Sequence, residues 1–321
     1  MASTGLRHPL VVLALLGALA ALSIVLFMTV NARGSWDFVL GFRGRKVWGM
    51  VLVAYAIAVS TVLFQTITGN RILTPAVMGF DALYQLIQTA LVFLFGGFAF
   101  ATLAPQLRFF VDAGAMVVLS TLLFRWLFSG QSRNLYLLVL AGIVFGVLFR
   151  SLSGLMQRLI NPNDFAVLQD AMFASFSGIT PDLLVVATVT MAGATLLALP
   201  LLPRLDVLLL GREPAISLGV DHRRTVSLVL AVVAVLVSIS TALVGPVLFF
   251  GLLVANLAYL IMPGFRHLHV LPAAVLLAVI ALVGGQAVLE HVFGYDTALA
   301  IIIEFAGGLA FLFILLRGRA R

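Results

Sequence analysis

The sequence predicts an all-α protein that crosses a lipid bilayer about ten times. Three observations lead there. Of its 321 residues, 63% are hydrophobic and only 10% charged, with a mean hydropathy of +1.19; a soluble domain of this size needs far more charge on its surface. Apolar runs of about 20 residues, the length that crosses a hydrocarbon core of roughly 30 Å, recur along the chain. The 19 basic residues fall mostly between those runs and at the termini, as topogenic charges do.

Taken in order, the charge gaps place spans at 10–30, 47–68, 83–103, 110–128, 135–155, 182–202, 225–243, 246–262, 270–289 and 297–316. Ala18-Leu19-Ala20 resembles a signal-peptide cleavage site, but the first apolar run continues to Val30, which favours a retained span. The fourth run carries Asp112 and Arg125 near its ends, and the fifth carries Arg150. No charge occurs over the 41 positions from Thr225 to Phe265, which read as two spans joined by a turn at Gly245-Pro246. An even number of spans puts both termini on one side. That side collects 12 basic residues against 7 on the other, so both termini, and the segment 204–224, are expected in the cytoplasm. Arg43, Arg45 and Lys46 run against this bias. Gly142 and Gly146 stand at the spacing that lets membrane helices approach closely, and packing within one bundle is the favoured use.

Composition also excludes functions. There is no cysteine, hence no disulfide or thiolate metal site. The net charge of +7 reflects loop arginines and is no sign of nucleic-acid binding. Lys46 is the one lysine, and Val47 follows it, so the Gly-Lys-Ser/Thr of a P-loop is missing and the chain cannot bind ATP by that route. No clustered His, Asp and Glu suggest catalysis, and no cofactor is expected. His267 and His269 form a lone His-x-His in a basic loop, a pattern that more often binds nothing.

The largest polar island is 204–224, where 7 of 21 residues are Arg, Asp or Glu. Pro214 suits a helix start, Glu213 suits the positive end of that helix, and Gly219 suits its stop. A short helix over 213–218, lying on the membrane surface, is expected. A rigid amphipathic helix offered between two spans is a surface for another protein to push.

Four segments are similar to the FecCD-type permeases of ABC importers for iron–siderophore complexes and cobalamin. They are Gln65 through Gly79, Asp164 through Gly178, Leu210-Gly211-Arg212-Glu213-Pro214-Ala215-Ile216-Ser217-Leu218-Gly219-Val220, and Gly245 through Leu253. They occur in the family's order over nearly the whole chain. Asn70 through Pro75 and Glu304 through Gly308 look like the subgroup that handles catecholate or anguibactin-type siderophores. Departures from the family pattern lie at Ala255-Asn256, Thr297-Ala298-Leu299 and Gly307-Gly308-Leu309.

The resemblance implies a type II ABC importer permease over 1–321, a single transmembrane domain in the bacterial cytoplasmic (inner) membrane. It implies a pair of ATP-binding subunits, a periplasmic or lipoprotein substrate-binding protein, and a second permease subunit around a shared channel. Gly211, Arg212, Glu213, Pro214, Ala215, Ser217, Leu218 and Gly219 would couple to the ATPase. Arg43 and Lys46 fall on the family's paired basic positions, which dock the binding protein; the other reading is a span-end anchor that snorkels to headgroups. Gln65, Asn256 and Glu304 are pathway candidates, and for all three, as for Gln286, bonding to another helix is the favoured use. The competing function is an ion-coupled secondary transporter, but proton relays need several intramembrane acids. Here Glu304 stands alone in mid-span.

Overall fold

A computed structural model of the protein describes residues 8–31, 35–129, 135–176, 178–291, 302, 305 and 307–309. Among these residues all regular structure is helical. The order begins with α1 (Pro9–Thr29) and α2 (Trp36–Thr68), then α3 (Phe80–Phe95), α4 (Gly97–Thr102), α5 (Pro105–Ser129) and α6 (Leu135–Gln157). It continues with α7 (Pro162–Met172), α8 (Pro181–Ala198), α9 (Leu202–Leu208), α10 (Arg212–Ser217), α11 (His222–Val244), α12 (Phe250–Ile261) and α13 (His267–His291). Proline opens α1, α5, α7 and α8, where its missing N–H costs nothing and its fixed φ suits the first turn.

Among the described residues, six helices are long and apolar enough to cross a membrane: Pro9–Thr29, Val39–Thr68, Val139–Gln157, Pro181–Leu208, His222–Val244 and His267–His291. Other apolar runs end as shorter or broken helices. The run at 83–103 is interrupted at Gly96 between α3 and α4. The run at 246–262 yields only the 12 residues of α12, about 18 Å of helix, too short to cross alone. The run at 297–316, with Glu304, lies almost wholly outside the described residues.

α2 is the axis of the bundle. It packs against α1, α8, α9, α11, α12 and α13, and Met50, Val53, Ala54, Ala56, Ala58 and Val62 along it are fully buried. Its alanines let neighbouring backbones come close, which is how helices associate where lipid is as apolar as the partner. α1, α6 and α8 sit at the periphery and turn Leu15, Leu19, Leu22, Val144, Leu148, Val185 and Val189 outward.

The Gly142/Gly146 pair is used inside the bundle, against the turn before α3. A Cβ on Gly79 would lie 2.9 Å from the Gly146 Cα, and Gly79 itself has φ +95°. Gly79→Ala therefore adds overlap to a left-handed backbone. It is expected to cost about 1–3 kcal/mol, read as a lower unfolding temperature in detergent. Gly17→Ala, which meets nothing within 4 Å, should stay within about 0.5 kcal/mol of the parent.

Candidate functional site

The surface segment after α8 has three parts. α9 is half sunk into the bundle, Leu205 and Leu208 being buried while Asp206 stays about one-third exposed. α10 begins one residue earlier than expected from Pro214, because Gly211 at φ +99° turns the chain and Arg212 already has helical geometry. Pro214 sits in the first turn, where its N–H would be unpartnered anyway.

The expected stop at Gly219 is present, with φ +84°. Val220 N–H donates to the Ala215 carbonyl at 3.0 Å and Gly219 N–H to that of Ile216 at 2.9 Å, the paired bonds of a Schellman turn. Asp221 then caps α11 by accepting from Arg224 N–H at 3.0 Å. The C-terminal end of α10 is thus closed by hydrogen bonds, and the positive-φ Gly211 marks its start.

Ala215 is the one fully buried residue of α10. Around it Gly211, Arg212, Glu213, Pro214, Ser217, Leu218 and Gly219 are exposed, with Ser217 Oγ donating to the Glu213 carbonyl at 3.1 Å. Leu209, Leu210, Ile216 and Leu218 are also exposed. Apolar side chains grouped with an Arg and a Glu on a short stiff helix are the composition of a partner surface.

Beneath this surface lies a polar cluster that sequence reasoning missed. Asp206 Oδ1 accepts from both the backbone N–H and the Nδ1–H of His267, at 2.8 and 2.6 Å. The carboxylate thereby satisfies an N–H at the start of α13, where helix geometry favours negative charge. The other ring nitrogen of His267, Nε2, is 2.7 Å from Thr66 Oγ1 on α2. Both His267 nitrogens are committed to hydrogen bonds, which leaves none for the metal pair considered with His269. Nearby, the Arg71 guanidinium lies 4.5 Å from the Tyr259 ring centre.

Two pathway candidates meet at this level. Gln65 Nε2 donates to the Arg71 carbonyl at 2.7 Å, and Asn256 Nδ2 donates to the same oxygen at 3.1 Å. One buried side chain from α2 and one from α12 thus hold the turn after α2 by a single backbone group. Gln65 Oε1 has no hydrogen-bond partner among the described residues. Glu304 lies outside the described residues.

Arg43 and Lys46 stand at the opposite end of α2. The 20 residues from 46 to 66 span about 30 Å of helix. Arg43 Nη1 donates to the carbonyls of Phe27 at 2.7 Å and Val30 at 2.8 Å, closing the open end of α1. Lys46 is buried in an ion pair with Glu290 of α13, and Gln286 Nε2 donates to the same carboxylate oxygen at 2.9 Å. The sequence reading missed Glu290 as the partner. Among these cations Arg45 is the exposed one, with Nε donating to the Gly41 carbonyl at 2.6 Å.

A cavity of about 310 Å³ opens beside α7, lined by Tyr84, Arg108, Phe109, Asp170 and Phe173 among others. Arg108 Nη2 donates to Gln88 Oε1 at 2.9 Å, and Gln88 Nε2 donates to Asp112 Oδ1 at 2.7 Å.

Residues 10–317 match the model of the FecCD transport family. The chain is 47% identical over 305 residues to the petrobactin import system permease protein YclO of Bacillus subtilis (strain 168), covering 95% of this chain and 96% of that protein. It is 35% identical over 321 residues to the petrobactin import system permease protein FatC of Bacillus anthracis, covering 97% of this chain and 88% of that one. In fold it follows a solved chain described as an inward-facing conformation of a metal-chelate type ABC transporter. The TM-score is 0.84 at 19% identity, with 96% of this chain and 99% of that chain covered.

Removing one partner of the Lys46–Glu290 pair strands the other charge in the bundle. Lys46→Met is expected to cost about 3–5 kcal/mol and the double variant Lys46→Met/Glu290→Leu far less, a cycle read by thermal unfolding in detergent.

Proposed function

The chain belongs to the FecCD transport family, and from that premise we propose that it is the permease subunit that carries a ferric siderophore of the petrobactin kind inward across the cytoplasmic membrane. The observation that supports this cargo is 47% identity, across 95% of the chain, to a petrobactin import permease. The chain works without hydrolysing ATP itself. Its exposed, capped α10 takes the push of a separate ATPase pair, with Ile216 and Leu218 flanking Arg212 and Glu213 as the contact. A second permease subunit completes the channel, and a binding protein delivers the chelate on the opposite face.

Docking of that binding protein is assigned to the α1–α2 corner. Arg43 and Lys46 shape this corner from within, since both are engaged inside the fold, and the outward charge falls to Arg45. Ten spans with both termini cytoplasmic remain the topology that fits these assignments.

Several measurements bear on the reading. Gly211→Pro cannot adopt φ +99° and removes the start of α10. It should abolish stimulation of ATP hydrolysis by loaded binding protein in the reconstituted transporter, and normal stimulation would refute the coupling role. Arg45→Glu should mainly slow docking, raising the half-saturating binding-protein concentration several-fold in low salt and less in high salt. The chain alone in proteoliposomes should move no ferric chelate, with or without a proton gradient; transport there would favour a secondary transporter.

A further inference from the structure

The cluster beneath α10 joins three elements that are far apart in sequence. Asp206 lies on α9, in the surface segment, His267 opens α13, and Thr66 is in the last turn of α2. Each contact is short, 2.6 Å from Asp206 to His267 Nδ1 and 2.7 Å from His267 Nε2 to Thr66. Thr66 and His267 are buried, so water offers these groups no substitute. Next to Thr66 in sequence, Gln65 holds the Arg71 carbonyl, and Arg71 stacks on the Tyr259 ring. The path from the surface segment to the turn at 69–74 therefore runs through hydrogen bonds and one residue step along α2, from Thr66 to Gln65.

We infer that Asp206, His267 and Thr66 form a latch that makes the surface segment and the 69–74 turn move together, so that displacement of α10 is delivered to the turn held by Gln65 and Asn256. These three are positioning residues: they touch neither ATPase nor cargo and act through the elements they join. The inference rests on the reading of α10 as the ATPase contact. It goes beyond that reading by naming the residues through which the push enters the bundle. A bonded cluster suits the task, because a packed greasy contact can slide, whereas one carboxylate oxygen accepting from both an imidazole and its backbone N–H fixes position and direction.

The test uses the complete transporter, with ATPase pair, binding protein and second permease subunit, in proteoliposomes. The readout is ATP hydrolysed per ferric chelate transported. Asp206→Ala and His267→Phe are expected to raise this ratio fivefold or more, the lower end of usual coupling effects, while loaded binding protein still stimulates hydrolysis. Thr66→Val should raise it, and Thr66→Ser, which keeps the hydroxyl, should restore the parent value. A ratio unchanged in Asp206→Ala and His267→Phe overturns the latch.

Because the chain has no cysteine, Ile72→Cys and Leu210→Cys can carry spin labels at two exposed positions. Their distance should keep one value through the nucleotide cycle in the parent and split into two populations in His267→Phe. A single unsplit distance in that variant also overturns the latch, even where the variant is less stable. If Gly211→Pro uncouples and the latch variants do not, only the latch falls. If Gly211→Pro leaves stimulation normal, the ATPase contact falls and the latch with it.

Discussion

The antiparallel pair of α2 and α13 is the constraint on which the other elements depend. The pair is tied at both ends by polar groups, Lys46 to Glu290 at one and Thr66 to His267 at the other. Along α2 these ties are about 30 Å apart, close to the thickness of a hydrocarbon core. Between them the contact is Val, Ala and Leu, which gain little by facing each other rather than lipid. Polar ends with an apolar middle fix the register of the pair: a slip of one residue would pull a charge out of its partner's reach into a medium that cannot solvate it. α1 is fastened to this frame by Arg43, and α12 by Asn256 through the Arg71 carbonyl.

Under the proposed function, this frame is what a separate ATPase would drive. α10 stands outside the bundle, closed at its C-terminal end by a Schellman turn and sunk by Ala215 alone. It is built to be gripped without unfolding. α9 beneath it is half buried and carries Asp206, whose carboxylate reaches the first residue of α13. The surface segment and the axial pair are thus joined by a buried hydrogen-bonded contact. The turn after α2 is held by side chains from α2 and α12.

Much of the fold was legible in the sequence. Length without charge predicted α1, α2, α8, α11 and α13, because only a helix satisfies its backbone across lipid. The short helix at 212–217 was legible from Glu213, Pro214 and Gly219, since capping and turn chemistry act within a few residues. Its start was misplaced by one residue because Gly211, and not Pro214, makes the turn. The Gly142/Gly146 spacing announced close approach, and the partner turned out to be Gly79 rather than another long helix. Of the run at 246–262, only the 12 residues of α12 are helical, because 245–249 break the helix before it; apolarity alone does not mark where such a break falls.

By itself, then, the sequence determined that the chain is helical and greasy, where its polar island lies, and that it carries no nucleotide motif. Only the tertiary structure decided which face of each helix is inside. Lipid and protein interior are equally apolar, so no periodic pattern marks the inward side. The same holds for the polar contacts. Lys46 and Glu290 are separated by 244 positions, and Thr66 and His267 by 201, distances over which no local spacing rule operates. Arg43 and Lys46 read as outward charges because a cation near a span end is ordinarily solvated. The fold surrounded them instead with acceptors, the carbonyls of α1 and the Glu290 carboxylate, which a linear chain does not reveal.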